Sequence, residues 1–213
     1  VFDEKGVFIS PNDIIAMLLK HLTKNRNYTG KLAKTIGASG LLDLYAQKCG
    51  VEVIETPVGF KHLGSTMRKS DVIIAGEESG GLSIKGHIPE KDGILADLLI
   101  MEMTAYSGGK LYELHNEFLR ELELKFINKR ADFNLNSVKE ADEKILQAET
   151  IKELAGLKVI KMNKIDGLKL YFEDKSTILI RKSGTEPLLR IYFEAASDEK
   201  IKKLEKAVSL FYC

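Results

Sequence analysis

Residues 71–93 read DVIIAGEESGGLSIKGHIPEKDG. The run VIIA is apolar without alternation, bounded by Asp71 and Gly76, as expected of a strand buried on both faces of a sheet. That is the mark of an α/β domain, in which ligands gather at the carboxyl ends of the strands. Here that end carries two adjacent acids, Glu77 and Glu78, then Ser79 and a glycine-rich loop. Carboxylates beside a hydroxyl can accept from and donate to vicinal sugar hydroxyls, so sugar recognition is one reading of the triplet. The other is a solvated turn in which Ser79 bonds its own backbone.

Outward from this stretch, helices alternate with strands. VFDEKGVFIS predicts two short strands around a Lys5-Gly6 turn. Ser10, Pro11 and Asp13 then suit the cap and first turn of a helix whose apolar stripe is Ile14, Ile15, Leu18, Leu19 and Leu22. A second helix over 40–50 carries Leu41, Leu42 and Tyr45. VEVIET predicts a strand, PVGFKHLG a turn-rich segment. Asp92 can cap a helix carrying Ile94, Leu95, Leu98 and Leu99, and a further helix carries Leu111, Leu114, Phe118 and Leu122.

From about residue 131 the grammar changes. One helix ends before Gly156, and strands at 157–162, 168–173, 176–181 and 188–195 follow without crossover helices, predicting a four-stranded antiparallel sheet. Leu189, Ile191 and Phe193 alternate with Arg190, Tyr192 and Glu194. A last helix presents Ile201, Leu204, Val208 and Phe211 at the spacing that covers one sheet face. Two domains are expected, 1–130 and 131–213, joined near 125–135.

The 213 residues carry 32 Lys and Arg against 31 Asp and Glu, which excludes the broad basic footprint of a nucleic-acid binder. No stretch reaches the roughly 18 apolar residues of a membrane span. Cys49 and Cys213 match no metal or redox spacing and fit a reducing compartment, so cytoplasmic residence is expected. A start at Val1-Phe2-Asp3, in mid-pattern and without methionine, predicts a piece of a longer protein.

The second polar loop lies in TILIRKSGTEPLLRIYFEA, residues 177–195. Arg181 and Arg190 bracket it, Ser183 and Thr185 offer hydroxyls, and Gly184 lets backbone N–H groups approach a ligand. Concave amides, short hydroxyls and a guanidinium fork suit a phosphate dianion. The alternative is a hairpin turn flanked by surface arginines.

GEESGG at 76–81, KDG at 91–93 and RKSGTEPLLRIYFEA, in this order and spacing, resemble the α-D-phosphohexomutase superfamily of phosphoglucomutases and phosphomannomutases. DEKGVFISPNDIIAMLL and ETPVGFKHLG extend the resemblance over nearly the whole chain. It implies a three-layer α/β/α third domain with a mixed sheet, followed by a smaller α+β fourth domain. Carried over by position, Glu77 and Ser79 would bind sugar hydroxyls, while Arg181, Ser183, Gly184 and Thr185 would bind the phosphate. Arg190 is the weaker clamp residue, because alternation can send it to the sheet face. Lys61 would bring positive charge to the cleft; its other reading is a surface lysine. His87 and Lys91 would position substrate or move protons, although a histidine beside glycines is commonly structural. Lys182 stands where many relatives have Pro. GEES resembles the glucose and mannose branch more than the phosphoglucosamine branch, whose loop usually has Gln at the second acid. Glu78 itself receives no role.

The family transfers phosphate through a phosphoserine, assisted by Mg²⁺ on an aspartate loop, and this sequence has neither the TASHNP-like serine context nor an Asp-x-Asp-x-Asp run. Phosphoryl transfer needs both an aligned nucleophile and charge neutralisation. The resemblance therefore implies a fragment with no catalytic or metal-binding residues of its own. Its parent would interconvert hexose 1-phosphate and hexose 6-phosphate, of glucose or mannose, through a hexose 1,6-bisphosphate, with the join near 125–135 as a hinge. The alternative is a stand-alone, non-catalytic phosphosugar-binding module. A sugar hydrolase acting through Glu77 or Glu78 is disfavoured, since it lacks a second carboxylate and leaves the phosphate loop unexplained.

Overall fold

A computed structural model describes residues 1–122, 126–135, 137–183 and 186–212, with Val138 and Phe211 through their backbones. The chain divides into two units, Val1–Leu124 and Lys125–Cys213.

The first unit begins with a turn in which the Asp3 carboxylate accepts from the Lys5 and Val7 N–H groups, closed by a single bridge between Phe2 and Phe8. Helix α1 (Pro11–Lys24) starts where the sequence places it, with the Ser10 hydroxyl accepting from the Asp13 N–H. There follow β1 (Lys31–Thr35), α2 (Leu41–Lys48), β2 (Val53–Thr56), α3 (Phe60–Lys69), β3 (Val72–Gly76), β4 (Leu82–Ile84), α4 (Gly93–Ser107) and α5 (Leu111–Glu121). The sheet order is β2-β1-β3-β4. β1 runs parallel to β2 and β3, and β4 is antiparallel to β3, so the sheet is mixed. α3 packs Phe60 and Leu63 against Ala33, Val72 and Ala75. On α1, Ile15, Leu18, Leu19 and Leu22 are fully buried, and each such aliphatic side chain contributes about 1.5–3 kcal/mol through burial.

Three elements depart from the expected pattern. PVGFKHLG is not all turn: α3 begins at Phe60, entered through Gly59 at a φ of 118°. β1 escapes notice because Lys34 lies in it fully buried, its Nζ 2.6 Å from Asp43 and 3.4 Å from Glu55. A lysine in a buried strand masks the apolar run. The loop after Glu77 is also less open than its glycines suggest, since β4 pairs back onto β3.

The second unit comprises β5 (Ile127–Asn134), α6 (Val138–Ala148), β6 (Glu153–Leu154), β7 (Leu157–Asn163), β8 (Leu168–Phe172), β9 (Thr177–Lys182), β10 (Leu188–Ala195) and α7 (Asp198–Tyr212). Its antiparallel sheet, ordered β5-β10-β9-β8-β7-β6, is larger than the expected four strands. The additions are the two edges. β5 is largely exposed, with Ile127, Ala131 and Phe133 partly buried, and carries charge, as edge strands commonly do, and β6 is only two residues long. Because β5 belongs to this sheet, the second unit starts ahead of residue 131. Leu189, Ile191 and Phe193 pack with Ile178, Ile180, Leu168, Leu170 and Phe172 beneath Ile201, Leu204 and Val208 of α7. The Phe211 side chain of the predicted stripe lies outside the described residues.

Candidate phosphosugar site

The acid pair sits where three parallel strands end. β3 finishes at Gly76, and Glu77 to Gly81 form a tight turn in which the Glu77 N–H donates to the Gly81 carbonyl at 2.9 Å and the Gly80 N–H to the Glu77 carbonyl at 3.0 Å. The two side chains go to different neighbours. Glu77 is 6% exposed and its carboxylate accepts from the N–H of Gly59, in the loop after β2. Glu78 Oε2 accepts from the Thr35 hydroxyl at 2.8 Å, at the end of β1. The acids thus connect the β3 turn to the loops following both other parallel strands.

Burial, and secondarily the Glu78 carboxylate, hold Glu77 protonated to a pH above the ordinary glutamate range. Lys91 and the Gly59 N–H pull the other way, and Glu90 adds a small push upward. The consequence for stability has a definite sign. Between the ordinary glutamate pKa and the raised folded one, the native state binds more protons than the unfolded chain, so stability falls as pH rises through that window. Glu77→Gln keeps an acceptor for Gly59 and removes the charge. Its melting temperature is expected to exceed that of the wild type at neutral pH, with the difference shrinking toward zero in acid. Melting curves across pH 3–8 check this, and a lower melting temperature for the variant at pH 7 contradicts it.

Of the other residues singled out in this unit, Ser79 and Lys91 border the same turn. Ser79 is exposed. It lines a cleft of about 700 Å³ together with Pro11, Ile14, Gly80, Lys91 and Asp92. The Lys91 stem lies across Gly81, and Lys91 is close enough to Glu77 to favour its ionised form. Lys61 is exposed in the first turn of α3, two residues after Gly59. His87 Nε2 lies 3.0 Å from Asp92 Oδ2, and the other Asp92 oxygen accepts from the Leu95 N–H to cap α4. Asp92 therefore fixes the histidine ring and the helix start together. Sequence reasoning found its cap and missed its histidine.

In the second unit, Arg181 lies next to the end of β9 and Arg190 stands directly opposite it on β10. Residues opposite one another in an antiparallel pair share a sheet face, so both guanidinium groups emerge on the side away from the apolar core. Arg181 reaches Asp166 at 2.9 Å, and Arg190 approaches Glu186 at 3.8 Å. The buried Nε of each arginine has no hydrogen-bond partner among the described residues. Ser183 is buried; its N–H donates to Leu188 O at 3.0 Å and its hydroxyl accepts from the Glu186 N–H at 3.3 Å. Gly184 and Thr185 lie outside the described residues. Nothing in the sequence pointed to Asp166, which comes from the turn before β8.

Two opposed guanidinium groups beside a buried serine in a tight turn have donor chemistry that suits an anion. The acidic turn offers acceptors that suit hydroxyl groups. A chain bearing both sets of groups has the chemistry that a sugar phosphate calls for, and sequence comparison gives its family. The model of "Phosphoglucomutase/phosphomannomutase, alpha/beta/alpha domain III" matches residues 10–122, and that of "Phosphoglucomutase/phosphomannomutase, C-terminal domain" matches residues 135–210. The chain belongs to the phosphoglucomutase/phosphomannomutase family, within the α-D-phosphohexomutase superfamily.

It is 34% identical to a phosphoglucomutase/phosphomannomutase of Thermococcus kodakarensis, over 98% of this chain and 43% of that protein. It is 29% identical to a phosphoglucosamine mutase of Acetivibrio thermocellus, over 94% of this chain and 41% of that one. The Paramecium phosphoglucomutase parafusin, solved in an open form, shares the fold with a TM-score of 0.74 at 26% identity, over 97% of this chain and 41% of that one. The chain thus spans less than half the length of the curated relatives it matches, and both substrate branches are among them.

Among the described residues no helix is long and apolar enough to cross a membrane. Nor does any cluster of three or more His, Cys, Asp or Glu side chains there fit a metal ion, so no step is assigned to Mg²⁺ in this chain.

Proposed function

We propose that this chain is the substrate-holding half of a phosphohexomutase, which interconverts hexose 1-phosphate and hexose 6-phosphate through a bisphosphate. The observation carrying this reading is the opposition of Arg181 and Arg190 beside Ser183 within the second unit, and Glu77, held by the Gly59 N–H at the carboxyl ends of the first unit's parallel strands, supports it. Glu77 accepts from sugar hydroxyls, and Ser79 donates or accepts at the exposed edge of the same turn. Arg181, Ser183 and Arg190, with Gly184 and Thr185, hold the phosphate that is not being transferred. Lys61 and Lys91 offset ligand charge, and His87, oriented by Asp92, faces the sugar. A hydroxyl edge that does not distinguish the two ends of the ring lets the substrate reverse between half-reactions while one clamp serves either phosphate.

The nucleophile and the Mg²⁺ implied by family membership belong to other parts of the whole protein in this reading. Bound Mg²⁺ would neutralise charge on the transferring group. Glucose or mannose phosphates are the proposed substrates, following the GEES sequence. The purified 213-residue chain is expected to bind glucose 6-phosphate weakly and to form none of it from glucose 1-phosphate when Mg²⁺ and glucose 1,6-bisphosphate are supplied. Turnover by the chain alone contradicts the division of labour. Absence of any hexose phosphate binding at millimolar concentration contradicts the site.

A further inference from the structure

We propose that Glu78 is a positioning residue, whose carboxylate, clasped by the Thr35 hydroxyl and seated over Gly37, ties the hydroxyl-binding turn to the loop after β1. This role deepens the hexose phosphate reading and rests on it for its functional meaning.

The clasp has three parts. Thr35 is fully buried and closes β1, and its hydroxyl donates to Glu78 Oε2 at 2.8 Å. Gly37 leaves room for the carboxylate: a Cβ there would sit 3.0 Å from both Cδ and Oε2 of Glu78 and 3.1 Å from Oε1. The β1 loop that supplies these partners is itself fixed, the Ile36 N–H donating to Thr56 O at 2.8 Å and the Ala38 N–H to Thr35 O at 3.0 Å. Glu78 is thus held against the loop that follows β1. A solvated acid would show neither a buried donor nor a glycine cut to its outline. Since Glu77 and Glu78 share one turn, anchoring the second restricts where the first can point. Preorganised groups of this kind hold a binding geometry that a free loop would have to acquire on binding.

Glu78 also influences Glu77 through its charge, and the two effects separate by substitution. Glu78→Ala removes clasp and charge, Thr35→Val removes the clasp alone, and Glu78→Gln removes the charge while its amide oxygen still accepts from Thr35. The test is amide hydrogen exchange at Glu77 and Gly80, whose N–H groups close the turn, with carboxyl titration of Glu77 by NMR in the same proteins. Exchange is expected to quicken about fivefold to tenfold in Glu78→Ala and Thr35→Val, the net worth of one hydrogen bond, and to return to the wild-type rate in Glu78→Gln. The Glu77 carboxyl, which also faces Lys91, Glu90 and the Gly59 N–H, should titrate closer to the ordinary range in Glu78→Gln. Wild-type exchange in Glu78→Ala, or exchange in Glu78→Gln as fast as in Glu78→Ala, overturns the proposal. Glucose 6-phosphate titrated into the four proteins should bind more weakly to Glu78→Ala and Thr35→Val only. If exchange responds as expected and none of the four binds the sugar phosphate, the proposed function fails and the clasp stands.

Discussion

Arg181→Ala is expected to weaken glucose 6-phosphate binding by about tenfold to a hundredfold, while leaving any affinity for unphosphorylated glucose unchanged. A hydrogen bond to a charged group is worth about 1.5–3 kcal/mol, and 1.4 kcal/mol corresponds to a factor of ten. Two features place Arg181 at the strong end of that range. Its side chain is 17% exposed, so the charge is poorly screened, and Asp166 holds the guanidinium at 2.9 Å on one side while its buried Nε lacks a partner among the described residues. The fork is therefore oriented before ligand arrives. Arg181→Lys should rescue little, because an ammonium cannot bridge Asp166 and two phosphate oxygens with planar geometry. Calorimetric titration of the three proteins decides the point. An unchanged affinity in Arg181→Ala removes the residue from the clamp.

Gly167→Ala is expected to destabilise the second unit by about 2–5 kcal/mol, combining a left-handed backbone with overpacking. Gly167 has a φ of +74°, and a Cβ there would lie 2.2 Å from the Ile180 carbonyl oxygen and 3.0 Å from Arg181 Cγ. Backbone on one side and the arginine stem on the other leave no flexible group to yield. For a unit of this size each kcal/mol lowers the melting temperature by about 4–8 °C. Gly156→Ala is the matched control, with a φ of +79° and open space around its Cβ position. It should cost only the backbone share, about 1–2 kcal/mol. Equal melting temperatures for the two variants would show that close approach at Gly167 does not matter. Because the clash bears on Arg181, Gly167→Ala should also lose phosphate binding under conditions where it remains folded.

Much of the framework was legible because its signals are local. Ser10 and Asp92 cap their helices through donors three residues away, and β3, β9 and β10 carry uninterrupted or alternating apolar patterns. What escaped depends on partners distant in sequence. β1 is a buried strand only because Asp43 and Glu55 meet Lys34, and β5 is an edge strand whose far pairing with β10 alone reveals it. Of the proposed binding residues, Glu77, Ser79, Arg181 and Ser183 come from motif and order alone. Glu78 could not be given a role, since its partners Thr35 and Gly37 lie some forty residues upstream. Asp166 was invisible for the same reason. The opposition of Arg181 and Arg190 required the strand register, which the sequence leaves open when the intervening loop is read without it.

Backbone amide chemical shifts, recorded while the chain is titrated in parallel with inorganic phosphate and with glucose 6-phosphate, test the central claim most directly. Inorganic phosphate should move the resonances of Arg181, Ser183 and Arg190 and leave Glu77 to Gly81 in place. Glucose 6-phosphate should move both groups with one common dissociation constant. Shifts confined to either group with glucose 6-phosphate, or different constants for the two, would contradict the proposed substrate-holding function.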